Sequence, residues 1–513
     1  MSSFPAPPSA FPPRIAIIGG GISGLAAAHR LTELLPQAEL SLFEASDRLG
    51  GVLHTVHRDG FLIEQSADNF LVKPSSGIDL CRQLGIAGDL LTTDESRRRA
   101  FVVRDGKLVP IPDGFYLMSP RKLWPLLTSP ALSLAGKLRL LCEPFIGRGP
   151  AATPTSDLRS PSPPSDESVA SFARRRLGRE AFERFVQPLV AGIYTADPEQ
   201  LSMAATMPQF LEFERERGSL LRATLLPKKS RTGRLSDELS DESGQAAHSA
   251  SGARYGLFVT PGAGMASLVN SLAARLPSNA IHVKSPVSHL THNANGWRLD
   301  FPAPPPTLLV PPPAFNALIL ALPAHAAASL LVSSDAELST ELSAIEYAGC
   351  AVVSLGFARS QIGHALDGFG FVVPAIERRR IIAGSFASLK FPNRAPADQV
   401  LIRAFIGGAV QPELLDLSDA ELSRIACEEL AELLQISGKP VSTNIARWPS
   451  SMPQYHVGHL ARISRIDELA SRYSNLALAG NAYRGVGIPH CIASGIAAAE
   501  KIAAHCAPRN RGS

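Results

Sequence analysis

The sequence is short of cysteine and aromatic residues, and it contains no long apolar run. Its six cysteines are far apart among 513 residues and form no CxxC pair. We therefore expect neither a disulfide framework nor a zinc site, and we expect reduced thiols as in the cytoplasm. No uninterrupted run of about 18 apolar residues occurs, so a membrane-spanning helix is not expected. Residues 1–13 lack the pattern of a signal or transit peptide.

Neither positive nor negative charge is concentrated in one part of the chain. The 50 Lys and Arg residues are interspersed with 46 Asp and Glu residues, and the formal net charge is +4. Because there is no Lys/Arg run and no basic helix, a nucleic-acid partner is not expected. The chain is too long for one ordinary core, so two or more structural units are expected.

The chain opens with the pattern of a β-α-β unit. Residues 14–19 form a short apolar strand, residues 22–35 have the character of a helix, and residues 39–44 form a second strand. The turn between the first strand and the helix reads GGGISG, which matches GxGxxG. That motif is weak alone, but a strand before it and a helix after it are the context it requires. We therefore expect a dinucleotide at this turn.

Each part of this turn has a physical task in binding a dinucleotide. The first glycine allows a tight turn, the second lets the backbone approach a pyrophosphate, and the third lets helix and strand pack closely. The helix N-terminus adds free N–H groups and a partial positive charge. A carboxylate at the end of the second strand can accept hydrogen bonds from a ribose diol. The residues expected to bind here are Gly19, Gly20, Gly21, Ile22, Ser23, Gly24 and Glu44.

The segment after the second strand narrows the identity of the cofactor. Residues 44–51 read EASDRLGG, with an acidic residue, an arginine four positions later and a glycine pair. This segment resembles the extended fingerprint of the FAD-dependent amine oxidase and phytoene desaturase superfamily. The resemblance implies one FAD, bound non-covalently. It adds as cofactor contacts Ala45, Arg48, Gly50, Gly51 and Val52.

Other segments resemble parts of the same superfamily's FAD site. Residues 479–481, 485–492 and 494–495 are similar to its second FAD motif, although His490 stands where the family often has Asp. Residues 63–70 resemble its loop beside the flavin, with Ser-Ala where Gly-Pro is usual. These resemblances imply contacts at Ser66, Ala67, Asp68, Asn69, Gly480, Asn481, Val486, Gly487 and Ile488. The likeness to the superfamily also implies contacts at Val287, which follows the strand at 281–283, and at Trp448.

Within the superfamily, the chain resembles the oxygen-dependent protoporphyrinogen oxidases. The similarity lies in residues 188–194, 197–202, 447–459 and 485–492. It implies that a porphyrinogen is oxidised to a porphyrin with dioxygen as the acceptor. The reaction removes six electrons in three rounds and leaves hydrogen peroxide. Because the flavin N5 performs the chemistry, no catalytic side chain is predicted.

The substrate pocket is expected to be apolar and flat, with a cation for a propionate. The resemblance implies an arginine just before the strand at 101–104, and Arg99 is favoured among the three arginines at 97–99. A solvated basic cluster is the alternative for these arginines. The resemblance also implies substrate contacts at Gly192, Phe369, Gly370, Val372 and Phe405. The alternative for these residues is that they belong to the core of a β-sheet and do not contact substrate.

The expected architecture is α/β, with three units. A Rossmann-like FAD-binding domain of the p-hydroxybenzoate hydroxylase-like type comprises residues 14–93, 255–320 and 443–506. A mainly helical, membrane-facing domain spans 94–227, and an α+β substrate-binding domain spans 321–442. Residues 228–254 are polar and are expected to form a disordered loop.

Location, assembly and exact activity stay open at this point. The stretch 117–146 mixes Trp124, leucines and bases, which suits either a membrane surface or the ordinary outside of a helical domain. The expected location is the cytoplasm or the periphery of the inner membrane, and a homodimer is one option. The alternative activities are coproporphyrinogen III oxidation to coproporphyrin III, an amine oxidase or carotenoid desaturase reaction, and FAD binding without catalysis.

Overall fold

The computed structural model describes residues 12–120, 122–149, 166–225, 257–306 and 314–507. The loop predicted at 228–254 lies outside these residues. Among the described residues, no helix is both long and apolar enough to cross a membrane.

Strands and helices alternate along the first part of the chain and along its end. The strands β1 to β21 are, in chain order, Arg14–Ile18, Glu39–Phe43, Thr55–Arg58, Phe61–Glu64, Phe70–Leu71, Leu90–Thr92, Phe101–Arg104, Lys107–Pro110, Phe115–Tyr116, Ser119–Pro120, Phe258–Pro261, Ile281–His282, His289–Asn293, Gly296–Asp300, Ala317–Leu320, Tyr347–Ala358, Gly370–Val372, Ala383–Phe386, Gln399–Gly407, Ser442–Pro453 and Leu476–Leu478. The helices α1 to α17 are, in chain order, Ile22–Leu34, Ser76–Leu84, Leu123–Thr128, Leu134–Leu141, Val169–Leu177, Arg179–Ala181, Gln187–Tyr194, Met203–Thr206, Pro208–Arg217, Leu220–Leu225, Met265–Ala273, Ala324–Leu331, Ala336–Ser343, Ala387–Lys390, Asp419–Leu434, His459–Ala470 and Ile488–Cys506.

The first sheet is parallel and joins segments that are distant in sequence. Its strand order is β12-β2-β1-β15-β21. On β1, Ile15 and Ile17 pack toward α1 and α17, whereas Ala16 and Ile18 pack toward α12, α13 and α16. From Ile15 to Ile18 the strand is apolar and buried, because both of its faces are covered. The predicted β-α-β unit is therefore confirmed, and so is the mixed α/β class.

The second sheet has seven strands in the order β20-β16-β19-β18-β17-β7-β8. All of its pairs are antiparallel except β17 with β7. Along β19, Ile402 and Ala404 belong to the core shared with α15, so the alternate residues Arg403 and Phe405 point to the opposite face. Strands β7 and β8 come from residues 94–227, the segment predicted to be mainly helical, so this segment also contributes to the sheet.

A helical layer made mostly by α5 to α10 packs on part of that opposite face, where Val102 of β7 and Val372 of β17 contact its core. The sequence from 168 to 190 has a continuous amphipathic pattern typical of one helix, but α5 ends at Leu177, and its C-cap, Gly178, has a φ of +90°. A Cβ at this position would lie 2.6 Å from the Arg139 side chain, so only glycine fits. The chain then continues through α6, a π-helical turn at Phe182–Val186 and α7. The amphipathic sequence pattern continues on both sides of Gly178, because the helices before and after this glycine each bury an apolar face.

An ion-pair network without solvent exposure ties this layer together. Arg176 pairs with Glu143 and also lies 3.4 Å from Glu214, and all three side chains are fully buried. The Glu143 carboxylate also accepts hydrogen bonds from Ser219 Oγ and from the backbone N–H of Leu220, 2.9 Å away. Removing one partner of such a network leaves a buried charge without compensation.

We expect Glu143→Ala to lower the free energy of unfolding by about 3–5 kcal/mol, because Arg176 loses its main counter-charge. Urea unfolding followed by circular dichroism measures the change. Glu199→Ala is the matched control, because Glu199 pairs with Arg174 where both side chains are about half exposed, and its loss should cost about 1 kcal/mol or less. Equal losses in the two variants would contradict this account of the network.

Candidate functional site

The glycines of the first motif shape an open cradle at the N-terminus of α1. Gly19 has a φ of +107°, and a Cβ there would lie 2.3 Å from the carbonyl oxygen of Ala321. A Cβ on Gly24 would lie 1.9 Å from the carbonyl oxygen of Gly19, so the helix needs glycine to approach the strand. Apart from its own chain neighbours, no atom of the described residues lies within 4 Å of the Cβ position of Gly21, which leaves space for a ligand. Gly21 also gives α1 no side-chain cap, so the first N–H groups of Ile22 and Ser23 suit a phosphate.

The end of β2 lies beside this cradle. One carboxylate oxygen of Glu44 accepts a 2.8 Å hydrogen bond from the N–H of Gly20, and the other accepts one of 2.8 Å from Ser46. Glu44 therefore fixes the glycine turn and keeps lone pairs for a ribose diol. Its neighbour Ala45 is exposed, and Val287 follows β12, which pairs with β2.

The glycine pair at 50–51 is hydrogen-bonded to the glycine turn at 19–21. The N–H of Gly50 donates to the carbonyl oxygen of Gly20 at 2.8 Å. Arg48 donates to the carbonyl oxygens of Leu49, Leu53 and Gly51, so its guanidinium holds the turn at 50–53 in shape. Val52 on this turn is 41% exposed, although it is apolar.

The C-terminal motif supplies a second uncapped helix. Gly480 and Gly485 have φ values of +135° and +141°, and a Cβ on Gly485 would lie 2.6 Å from the His490 ring. Helix α17 begins at Ile488, and its N-cap, Gly487, provides no side-chain cap. The backbone N–H groups at this helix start suit an electronegative ligand atom. His490 faces the turn at Gly485, and burial lowers its pKa, which favours the neutral ring.

The loop at 65–69 is held by the second sheet through its main-chain carbonyls. The indole N–H of Trp448 donates to the carbonyl oxygen of Gln65 at 2.7 Å. Arg403 donates to the carbonyl oxygen of Ser66, and the Ser66 hydroxyl donates to the carbonyl oxygen of Val52. Ala67 at the tip is exposed. The loop predicted beside the flavin therefore joins the two glycine turns to the sheet.

A buried charge cluster lies under this loop, and sequence reasoning missed two of its three members. The Asp68 carboxylate lies 3.1 Å from Lys390 Nζ and 3.3 Å from Arg403 Nη1. Burial alone would raise the pKa of Asp68, but the two cations outweigh it and lower the pKa to about 2. Asn69 also donates to Asp68. Lys390 and Arg403 lie more than 300 residues from Asp68 in sequence, and no local motif marks Lys390.

We expect Asp68→Asn to lower the free energy of unfolding near neutral pH by about 3 kcal/mol, because two buried cations lose their shared carboxylate. The folded-state pKa of Asp68 is depressed, so its contribution is present above the unfolded pKa of about 4 and is lost as the pH falls through about 2. Urea unfolding of both proteins between about pH 7 and pH 3 measures the difference, which should shrink in acid.

Asp79→Asn provides the control for this pH series. Asp79 pairs with Arg82 on the surface, where its side chain is 48% exposed. Its replacement should change the free energy of unfolding by about 1 kcal/mol or less. A loss for Asp68→Asn that is no larger, or that does not change with pH, would refute the stabilising role of the cluster.

The predicted substrate contacts converge on the face of the second sheet opposite α15. Val372, Ala383 and Phe405 are register partners on three neighbouring strands and form one apolar row. A Cβ on Gly192 would lie 3.5 Å from Val372 Cγ1, so α7 passes directly over this row. The Arg403 guanidinium lies 5.3 Å from the centre of the Phe405 ring. The structure therefore brings Gly192, Val372 and Phe405 together.

The apolar row forms a wall of the site. One end of this wall is built by Gly370, Phe369 and the segment around Arg99. Gly370 has a φ of +148°, and a Cβ there would lie 2.2 Å from the carbonyl oxygen of Gly384. Phe369 is buried, and its N–H donates to the carbonyl oxygen of Arg99 at 2.9 Å. The Arg99 guanidinium lies 2.8 Å from Asp367, with both side chains about half exposed. Arg99 is thus at the edge of the wall, already paired with a carboxylate.

A comparison with protein families identifies the family of this chain. The family model described as flavin containing amine oxidoreductase matches residues 22–503. The chain belongs to this family. FAD fits the geometry described above. The open space at Gly21 and the uncapped start of α1 suit its phosphates, the uncapped start of α17 suits its ring, and the carboxylate of Glu44 suits its ribose. The protein is an FAD-dependent oxidoreductase, as the sequence motifs predicted.

Individual relatives of this flavin containing amine oxidoreductase match it over nearly its whole length. Coproporphyrinogen III oxidase of Bacillus subtilis (strain 168) is 33% identical over 489 residues, which cover 94% of this chain and 96% of the relative. Protoporphyrinogen oxidase 1, chloroplastic, of Arabidopsis thaliana is 30% identical, with coverage of 93% and 85%. The resemblance to porphyrinogen oxidases is confirmed by these similarities.

Solved structures of the family agree with this fold. A structure from Exiguobacterium sp. 255-15, provisionally named a protoporphyrinogen oxidase, superposes with a TM-score of 0.79 at 28% identity and covers 97% of this chain and 99% of its own. Cyclohexylamine oxidase from Brevibacterium oxydans IH-35A has a TM-score of 0.66 at 16% identity, with coverage of 96% and 99%. The second likeness concerns the fold alone.

Proposed function

We propose that this enzyme oxidises a porphyrinogen to the porphyrin, with FAD as the cofactor and dioxygen as the final acceptor. The observation that carries this proposal is the similarity, over more than nine-tenths of this chain, to relatives named for porphyrinogen oxidation. When bound, FAD supplies the two-electron oxidation, so the six-electron reaction takes three rounds and yields three hydrogen peroxide.

The side chains of the site then bind and orient the tetrapyrrole. The row of Val372, Ala383 and Phe405 offers an apolar wall for a flat ring, and α7 passes over this wall at Gly192. These apolar side chains would exclude water from the face of the bound ring. Arg99 at the edge of the wall is the proposed propionate ligand, and it would exchange Asp367 for the substrate carboxylate.

Protoporphyrinogen IX is the substrate that we propose first. It carries two vinyl groups where coproporphyrinogen III carries two further propionates, and the described row facing α7 has apolar side chains only. Coproporphyrinogen III is the second candidate, and the 33% identity to the Bacillus subtilis relative favours it. The two substrates place different demands on charge, because each extra propionate needs a cation or solvent.

Purified protein, offered each porphyrinogen separately in air, distinguishes these substrates. We expect a higher kcat/KM for protoporphyrinogen IX, with three peroxides per porphyrin, followed by porphyrin fluorescence and peroxide assay. Preference for coproporphyrinogen III would overturn the choice of substrate and keep the reaction. A yellow protein that oxidises neither would overturn the proposed function.

The proposal extends to the division of the chain. We propose that residues 14–93, 255–320 and 443–506 form a Rossmann-like FAD-binding domain around the parallel sheet. Residues 321–442, together with β7 and β8, form the substrate-binding part. Support comes from the strand order of the first sheet and from the glycine turns at the carboxyl ends of β1 and β2, where ligands of such sheets bind.

We further propose that part of the segment 94–227 lies on a membrane surface. Trp124, Leu134, Leu138 and Phe145 are exposed by 76%, 74%, 56% and 83%, although their side chains are apolar. Several large apolar side chains exposed on neighbouring helices are unusual for a surface that faces water. Lys122, on the same stretch, is exposed and could meet anionic headgroups.

The double variant Trp124→Ser and Phe145→Ser should bind anionic lipid vesicles about tenfold more weakly, because it removes the two most exposed apolar side chains of this surface. Flotation with phosphatidylglycerol-containing vesicles measures the binding. Val332→Ser with Val441→Ser is the control, because both valines are exposed outside this segment. Unchanged binding of the first variant, or no binding by the parent, would refute the membrane proposal.

A further inference from the structure

Residues 452–459 belong to the stretch 447–459 that resembles the protoporphyrinogen oxidases, and their contacts show a distinct structural role. The buried hydroxyl of Tyr455 donates to the carbonyl oxygen of Asn481 at 2.5 Å and accepts from the N–H of Gly485 at 2.8 Å. These two partners lie at either end of the short turn 481–485. The hydroxyl thus closes the turn as a single bridging group, between two glycines with positive φ.

His459 supports the Tyr455 ring from behind. The two rings stack with their centres 3.9 Å apart and their planes within 14°. The His459 Nε2 lies 3.0 Å from the carbonyl oxygen of Tyr483, in the same turn. Burial lowers the pKa of His459 to about 4, so the ring is neutral near pH 7 and donates this hydrogen bond. Tyrosine and histidine together therefore contact three backbone groups of the turn.

The main chain of the same segment contacts the helical layer. The N–H of Ser202 donates to the carbonyl oxygen of Tyr455 at 2.7 Å. The Gln454 side chain donates to the carbonyl oxygen of Tyr194, at the end of α7, at 3.3 Å. Gln454 and Tyr455 are therefore attached on one side to the helix that carries Gly192 and on the other to the glycine turn before α17.

We propose that Tyr455 is a positioning residue, whose hydroxyl holds the turn 481–485 in the shape that receives FAD and in register with α7. The inference rests on the proposed contact of residues 480–488 with FAD. Gly480, just before the turn, and Gly485, at its end, have no side chain to restrain them, so the shape of the turn depends on partners elsewhere. Without the hydroxyl, a carbonyl oxygen and an N–H inside the protein lose their partner and the turn relaxes to find others.

Tyr455→Phe tests the hydroxyl alone, because the ring and its stack on His459 remain. We expect the apoprotein of this variant to bind FAD about tenfold more weakly, as expected from the loss of a bridging hydroxyl. The visible absorption bands of the bound flavin should also shift, which loss of global stability alone would not produce. Titration of apoprotein with FAD, followed by flavin fluorescence and absorption, measures both effects without any porphyrinogen.

Tyr483→Phe is the matched control, since Tyr483 is buried in the same turn and its hydroxyl has no hydrogen-bond partner within the described part of the chain. It should bind FAD with the affinity and spectrum of the parent. If Tyr455→Phe does not fold, His459→Phe keeps the ring stack, removes the contact with Tyr483, and should weaken FAD binding in the same direction but less.

The inference is overturned if the folded Tyr455 or His459 variant binds FAD with the affinity and spectrum of the parent. It is also overturned if Tyr483→Phe loses as much FAD affinity as Tyr455→Phe. Because no substrate is present, these results are separate from the proposed function. A parent that binds FAD tightly but oxidises no porphyrinogen would overturn that function and leave the role of Tyr455 to be decided by the titration.

Discussion

The candidate site depends on one buried carboxylate that joins segments distant in sequence. Asp68 lies in the loop proposed to border the flavin, and it pairs with Lys390 on α14 and Arg403 on β19. Arg403 and Trp448 also hold the carbonyl oxygens of this loop. A single ion-paired loop thus fixes the distance between the glycine turns of the first sheet and the apolar face of the second.

Glycine serves this arrangement at the points where two backbones nearly touch. Gly24 lets α1 approach the turn at Gly19, and Gly370 lets β17 pass the carbonyl oxygen of Gly384. Both contacts are closer than any side chain permits. The cofactor cradle and the substrate wall are therefore built by the same device, in which backbone groups face the ligand and side chains supply the covering layers.

Features with a local sequence signal were predictable. The β-α-β unit, the glycine turn and the uncapped start of α1 each follow from a few adjacent residues. Lys390 was not predictable, because its partner is 322 residues away and no motif surrounds it. Arg403 gave one signal, a charge among the apolar residues of a strand. The break at Gly178 was missed because the amphipathic pattern continues on both sides, and the pairing of Arg99 with Asp367 has no signature in the sequence.

The packing of α17 on α1 has a consequence for the order in which the chain folds. A Cβ on Gly495 would lie 2.1 Å from the carbonyl oxygen of Ser23, so the last helix presses directly against the first. During synthesis, α1 therefore waits for this cover until α17 has left the ribosome. Strand β21, which completes the parallel sheet beside β15, is also made late. Contacts between such distant segments form slowly, so we expect the nascent chain to expose apolar surface until β21 and α17 have been made.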